Sequence, residues 1–296
     1  MAGKLPKPGR ISLSPMLSYR GKLCGDLTVA CLDENEFLVF GSGAAQEMHR
    51  RWFESHLNKF EVSYENRSDE FHGLSIAGPN SRKVLEKIVR DDVSNDKFKF
   101  RDSRRMFVGG VPAIINRISF TGELGYEIYV APHYQIKLYE ELMEAGREFN
   151  IKPFGGRALM SMRLEKNWGA WTLDYRPDFT AKETGLDMFI NWDKDFIGKE
   201  KAKSENSSNK LTPLIVETND IDVTSNEAVM NGDQSIGYVT SGGFAHFVNK
   251  SVAFTFIDQN KIKSENKIQI EINGDLFNCS VIKEPLYDPN GQKMRS

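Results

Sequence analysis

At 296 residues the chain is long enough for two packed units, since single hydrophobic cores stop growing near ~250–300 residues. Apolar residues at 40% and charged residues at 27%, with both signs interspersed, exclude a disordered or fibrous protein. A formal net charge of -2 with no local basic patch excludes a nucleic-acid partner.

The opening MAGKLPKPGR carries no apolar signal core, and no later run approaches the ~18 apolar residues of a membrane span. A soluble, unsecreted protein with no membrane partner is expected, cytoplasmic or, in a eukaryote, in the mitochondrial matrix. After the prolines Pro6, Pro8 and Pro15, two extended runs, Leu23 to Cys31 and Glu36 to Phe40, flank the turn formers Asp33-Glu34-Asn35 and predict a strand pair. Ala44, Met48, Trp52, Phe53 and Leu57 recur at helical spacing and predict a helix from about Ala45 to Leu57. Phe71 to Ile76 reads as a strand, and Asn80 or Ser81 as the cap of a helix carrying Val84, Leu85, Ile88 and Val89 on one face. Strands at Val111 to Ile118 and Glu127 to Val130 surround a glycine turn, and a helix over Gln135 to Gly146 follows. Ala158 to Lys166 is a further helix, whereas Trp168 to Pro177 is aromatic and irregular, as a loop lining a site is. The polar run Lys201 to Lys210 reads as a linker, so the boundary is drawn to give domains 1–203 and 204–296. Beyond it, Leu214 to Glu217, Ser235 to Thr240, Val252 to Ile257, Lys267 to Ile272 and Leu276 to Ile282 are short strands of a small barrel or sandwich. The fold class is α+β.

Four segments hold residues suited to chemistry. Asp26 is an acid inside an apolar strand: either a carboxylate buried for a reason, with a raised pKa, or a side chain on the solvent face of an alternating strand. Thr121-Gly122-Glu123-Leu124-Gly125-Tyr126-Glu127 is a turn whose glycines admit a flat ligand and whose carboxylates accept from ring nitrogens or amines, or else a hairpin with solvated acids. Arg163-Leu164-Glu165-Lys166, with Trp168, Trp171 and Tyr175, is either a heterocycle site, with Glu165 accepting and the tryptophans stacking, or a helix end beside core aromatics. The glycines from Gly237 to Gly243 form a tight turn that presents backbone donors or links strands, with His246 beside it. Cys24, Cys31 and Cys279 lack paired C-x-x-C spacing, which argues against disulfides or structural zinc and for a reducing compartment. No metal site is expected, and Walker, G-x-S-x-G and G-x-G-x-x-G signatures are missing from the sequence.

Taken in order, GKLCGDLTV, AGPNSRKVLEKI, FTGELGYEIYV, GRALMSMRLEKNWGAW, DFIGKE, GYVTSGGF and PLYDPNGQKMRS resemble the glycine cleavage aminomethyltransferase family, and more closely the folate domain of dimethylglycine and sarcosine dehydrogenases. The resemblance runs nearly end to end. It implies two α+β subdomains and a C-terminal β-barrel around a folate cavity, with tetrahydrofolate as cofactor. Asp26 then takes the place of the family's essential Asp, orienting or taking a proton from the reacting amine, and Glu165 matches the Glu that holds the pterin ring. Tyr126 and Trp171 match positions around the cavity, and Glu123 lies close to the ligand in the TGE turn. The family's upstream segment, with its Phe-Asp-x-Ser-type motif, is missing before Gly9, so the N-terminal subdomain is expected to be incomplete.

The function implied is transfer of a one-carbon unit, aminomethyl, methylene or methyl, from a glycine-derived or N-methylated amine to tetrahydrofolate. The expected partners are folate, a small amine donor, and a flavin oxidase or dehydrogenase subunit or lipoyl carrier protein, because no flavin motif exists in this chain. Two alternatives stay open: demethylation of a sulfonium donor, and a non-catalytic folate sensor.

Overall fold

In the computed structural model, which describes residues 1–218 and 221–296, the elements in chain order are β1 (Arg10–Leu17), β2 (Leu23–Asp33), β3 (Glu36–Phe40), α1 (Gln46–Leu57), β4 (His72–Ala77), α2 (Ser81–Ile88), β5 (Ser103–Val108), β6 (Val111–Asn116), β7 (Gly125–Val130), α3 (Gln135–Ala145), α4 (Gly156–Glu165), α5 (Ala181–Thr184), α6 (Lys199–Lys203), β8 (Asn209–Val216), β9 (Ala228–Asn231), β10 (Gln234–Ala245), β11 (Lys250–Asp258), β12 (Ile268–Ile272) and β13 (Asp275–Val281). The class is α+β with a closed barrel at the C-terminal end. Met1–Lys4, Leu13–Leu27 and Gly156–Pro289 make one compact unit; Leu5–Ser12, Thr28–Gly155 and Asn290–Ser296 make a second. Among the described residues no helix is long and apolar enough to cross a membrane.

The second unit is built on an antiparallel sheet in the order β4-β7-β6-β5. Strand alternation sends Tyr126, Ile128 and Val130 of β7 into a core with Val84 and Leu85 of α2 and Leu138 and Leu142 of α3. Helix α2 ends at Ile88; Val89 is extended and bridges Val108 rather than continuing the apolar stripe. The expected cap is also rearranged: Ser81 donates its hydroxyl to the carbonyls of Gly78 and Leu124 instead of accepting a helix amide.

In the first unit the barrel closes in the order β10-β11-β8-β13-β12-β9 around Leu214, Val216, Val229, Val239, Ala253, Ile257 and Ile270. The run expected as a linker is partly ordered, since α6 holds its first residues and β8 begins at Asn209. The glycine-rich stretch Gly237 to Gly243 is not a turn but the middle of the long strand β10, with a bulge between Val239 and Ser241. A side chain at Gly237 would come within 2.1 Å of the Phe256 carbonyl, so glycine there serves close strand approach rather than a turn.

Candidate functional site

In the first unit Asp26 stands on β2 between buried Gly25 and Leu27, on the more open face that it shares with Thr28. Alternation therefore does turn it away from the densest core, yet the carboxyl is desolvated. Burial pushes it up to about 6, opposed by its own backbone N–H. The start of β2 is tied to the loop after α4, because the Leu23 amide donates to the Phe179 carbonyl (2.8 Å) and Lys22 bridges Thr180 in antiparallel sense. Thr180 is fixed in turn by a capping box with Glu183 at the start of α5.

That loop carries the aromatic residues. Trp171 (8% exposed) and Tyr175 (7%) are both buried and are joined by a backbone bridge. The loop is pinned by Asp174, which is wholly buried. Its carboxylate accepts from the guanidinium of Arg163 (2.5 Å), the amide of Ala170 (2.9 Å), and the hydroxyls of Ser241 (2.7 Å) and Thr240. Arg163 also lies over the ring of Phe254, 5.3 Å from its centroid.

Glu165 is the last residue of α4. Its carboxylate accepts the Phe247 amide at 2.6 Å and a second bond from the Val248 amide, while burial raises its pKa against these donors. Its neighbour Lys166 donates to the carbonyls of Tyr287 and Asp288 and pairs with the Asp288 carboxylate at 3.3 Å. Arg163, Glu165 and Lys166 are thus three buried charges that tie the end of α4 to the loop, to the β10–β11 connection and to the PLYDPN segment.

In the second unit Gly122 takes a positive φ of 87° in the TGE turn, which is held by the Ser119 hydroxyl accepting the Gly122 amide and the Thr121 hydroxyl accepting the Glu123 amide. Glu123 is partly buried there. Tyr126, expected among the ligand-facing residues, points into the core: it is fully buried, packs on Phe98 at 5.8 Å, and has its phenol beside the Arg82 and Arg117 guanidiniums. Period-2 alternation sends its neighbour Glu127 to the other face with Tyr129, whose hydroxyl donates to the Glu127 carboxylate at 2.6 Å. Burial raises the Glu127 pKa, and Phe40 covers Tyr129 at 4.5 Å. Glu127 was within the segment read from sequence but not singled out. Counting alternation from the buried Tyr126 through Ile128 and Val130 would have separated it from them.

Two sequence models identify the class of this fold. The GCVT N-terminal domain matches residues 1–194, and the glycine cleavage T-protein C-terminal barrel domain matches residues 209–288. The chain belongs to the glycine cleavage T-protein family, whose relatives are aminomethyltransferases. The aminomethyltransferase of Thermoanaerobacter pseudethanolicus is 30% identical over 97% of this chain and 78% of its own length. The mitochondrial dimethylglycine dehydrogenase of Mus musculus is 36% identical over 96% of this chain, which spans only 34% of that enzyme. The crystal structure of the glycine cleavage system aminomethyltransferase T from Bartonella henselae shares the fold, with a TM-score of 0.83 at 22% identity over 96% of this chain and 78% of that one.

Proposed function

We propose that this chain transfers a one-carbon unit from a methylated or aminomethyl amine to tetrahydrofolate, with Asp26 as the group that handles charge at the reacting nitrogen. The observation that carries the reading is the desolvated carboxyl of Asp26, raised to about 6 and standing on the part of β2 bound to the aromatic loop. Such a carboxylate is ionised at neutral pH and able to act as a general base toward a protonated, ammonium-type nitrogen, and its charge stabilises a cationic carbon centre in the donor. Tetrahydrofolate, when bound, supplies the secondary amine nitrogens that receive the carbon.

The protein's own acceptors suit that cofactor. Of the second unit's acids, Glu127 is the one held by a tyrosine and raised by burial, and we assign it to accept hydrogen bonds from the amino and ring N–H groups of the pterin. Glu165 supports the region of the first unit from which the loop bearing Trp171 departs, and Glu123 supports the turn. The similarity to dimethylglycine dehydrogenase, of which this chain spans about a third, supports an amine-oxidising flavoprotein as the source of the donor.

The test is production of methylene-tetrahydrofolate from tetrahydrofolate and an aminomethyl donor already at the formaldehyde oxidation level, or from a methylated amine supplied together with an amine-oxidising flavoprotein that takes up the two electrons, with calorimetric titration of tetrahydrofolate in parallel. Asp26→Asn is expected to lower turnover by about 10²–10⁴-fold with folate binding retained. Glu127→Gln is expected to weaken folate binding at least roughly tenfold. Undiminished turnover in Asp26→Asn removes Asp26 from the mechanism, and no binding heat in the wild type removes folate.

A further inference from the structure

Gly73 lies inside β4, the edge strand of the β4-β7-β6-β5 sheet of the second unit, where a missing side chain weakens the pairing. Its backbone is not in the left-handed region, so no turn calls for glycine there. The residue directly opposite in register is Tyr129 of β7. A side chain at position 73 would stand 3.0 Å from Cε1 and 3.2 Å from Cδ1 of that tyrosine, so the glycine makes room for the ring to lie across the edge strand. Phe40 of β3 covers the same ring, with centroids 4.5 Å apart and planes tilted by 33°. The tyrosine is therefore confined by a facing strand and by a second aromatic side chain.

What this confinement fixes is a hydroxyl. Tyr129 sits two residues beyond Glu127 on the same face of β7 and donates to its Oε2 at 2.6 Å. Burial and the adjacent carboxylate hold the phenol well above its ordinary range, so it remains an O–H donor across the working pH. Among the described residues it is the one side chain that donates to Glu127. The neighbours of Glu127 in register, Ser75 of β4 and Asn116 of β6, are uncharged. Asn116 is engaged by β5, its side-chain oxygen accepting the Ser103 hydroxyl at 2.7 Å.

A carboxylate held at one oxygen presents the other in a single direction. A planar heterocycle with adjacent N–H groups gains from that, because its donors are fixed in one plane. Resting on the proposal that Glu127 accepts from the pterin, we infer that Tyr129 is the positioning residue of that carboxylate: its O–H, fixed by Gly73 and Phe40, holds Oε2 and sets the plane in which Glu127 meets the ligand. Tyr129 itself makes no bond to the pterin.

The test is a double-replacement cycle on the intact chain, with tetrahydrofolate affinity measured by calorimetry. Tyr129→Phe removes the hydroxyl and keeps the ring, and is expected to weaken binding roughly three- to tenfold, the size of one net hydrogen bond. In a Glu127→Ala background the same replacement is expected to change affinity by less than about twofold, because the group it orients is gone. Equal losses in both backgrounds overturn the inference, since Tyr129 would then act on the ligand or on the fold and not through Glu127. The carboxyl itself gives a second readout, in protein labelled with ¹³C at glutamate carboxyls, the resonance being assigned by its loss in Glu127→Gln. Tyr129→Phe should raise the Glu127 midpoint, and 3-fluorotyrosine at position 129, a stronger donor of nearly the same shape, should lower it. A midpoint that fluorotyrosine leaves in place overturns the positioning role even where Tyr129→Phe fails to fold. A moved midpoint combined with full folate affinity in Glu127→Ala keeps the positioning and instead removes the pterin role of Glu127.

Discussion

Asp174 and Asp26 are carboxylates of the same unit, both withdrawn from water, and their surroundings treat them oppositely. Asp174 is enclosed by a guanidinium, an amide and two hydroxyls, with its charge matched by Arg163, itself 1% exposed. Asp26 meets desolvation with little more than its own amide and is held near 6. A buried charge with a full set of donors is part of the architecture; one left short of donors is kept reactive at a cost in stability. The same contrast appears between Glu165, which holds two backbone amides of the β10–β11 connection, and Glu127, whose carboxylate is met by one tyrosine.

The comparison is broken most forcefully at Asp174. Asp174→Ala leaves Arg163 charged and buried and removes the acceptor of Ala170, Thr240 and Ser241, so unfolding free energy should fall by about 3–5 kcal/mol. Chemical denaturation read by tryptophan fluorescence measures it. A loss below about 1 kcal/mol would mean that the cluster is ornamental and that loop 168–175 is held by its aromatics alone.

Asp26 should respond with the opposite sign. An acid whose folded pKa is near 6, above the unfolded value near 3.9, destabilises the fold fully above pH 6 and ceases to do so as pH falls below about 4. Asp26→Asn is therefore expected to be more stable than wild type by about 2–3 kcal/mol at pH 8, with the gain shrinking through pH 6 and gone near pH 4. Denaturation curves at those three pH values check it. A variant less stable than wild type at pH 8 would make Asp26 another Asp174.

Much of this organisation is legible in the residues. The β2–β3 pair, α1, α3 and five of the six barrel strands follow from apolar periodicity, which responds to which face is buried; the four-residue β9 is too short to show it. Strand β1 is hidden by Pro15, tolerated because β1 lies at the edge of the sheet ordered β1-β2-β3. Strand β5 is hidden by Arg104 and Arg105: Arg105 is exposed, whereas Arg104 lies on the face of Met106 and Val108 with its guanidinium over the ring of Phe98. The sites were harder to read for a physical reason. Sequence shows that Glu165 and Tyr126 sit in suggestive company, but what a polar group does depends on partners distant along the chain: Phe247 lies 82 residues from Glu165. For Tyr126 and Glu127 a shift of one position in a strand decides between core and open face.

Glu165 gives the finest test of the contrast, because structural and ligand-holding roles predict different observables rather than different amounts of one. Glu165→Gln keeps the shape and an oxygen able to accept the Phe247 amide, but loses the charge that strengthens that bond and also the burial penalty on that charge. These changes oppose each other, so stability is expected to move by about 1 kcal/mol or less. Tetrahydrofolate affinity, measured by calorimetry at neutral pH, should stay within roughly threefold of wild type, a difference under 1 kcal/mol. If the Gln variant instead loses folate binding tenfold or more while its unfolding curve is unchanged, Glu165 is a ligand-holding group despite its two amides. The division between donor-saturated and donor-poor acids would then fail at this residue, and the assignment of pterin recognition to Glu127 would have to be shared.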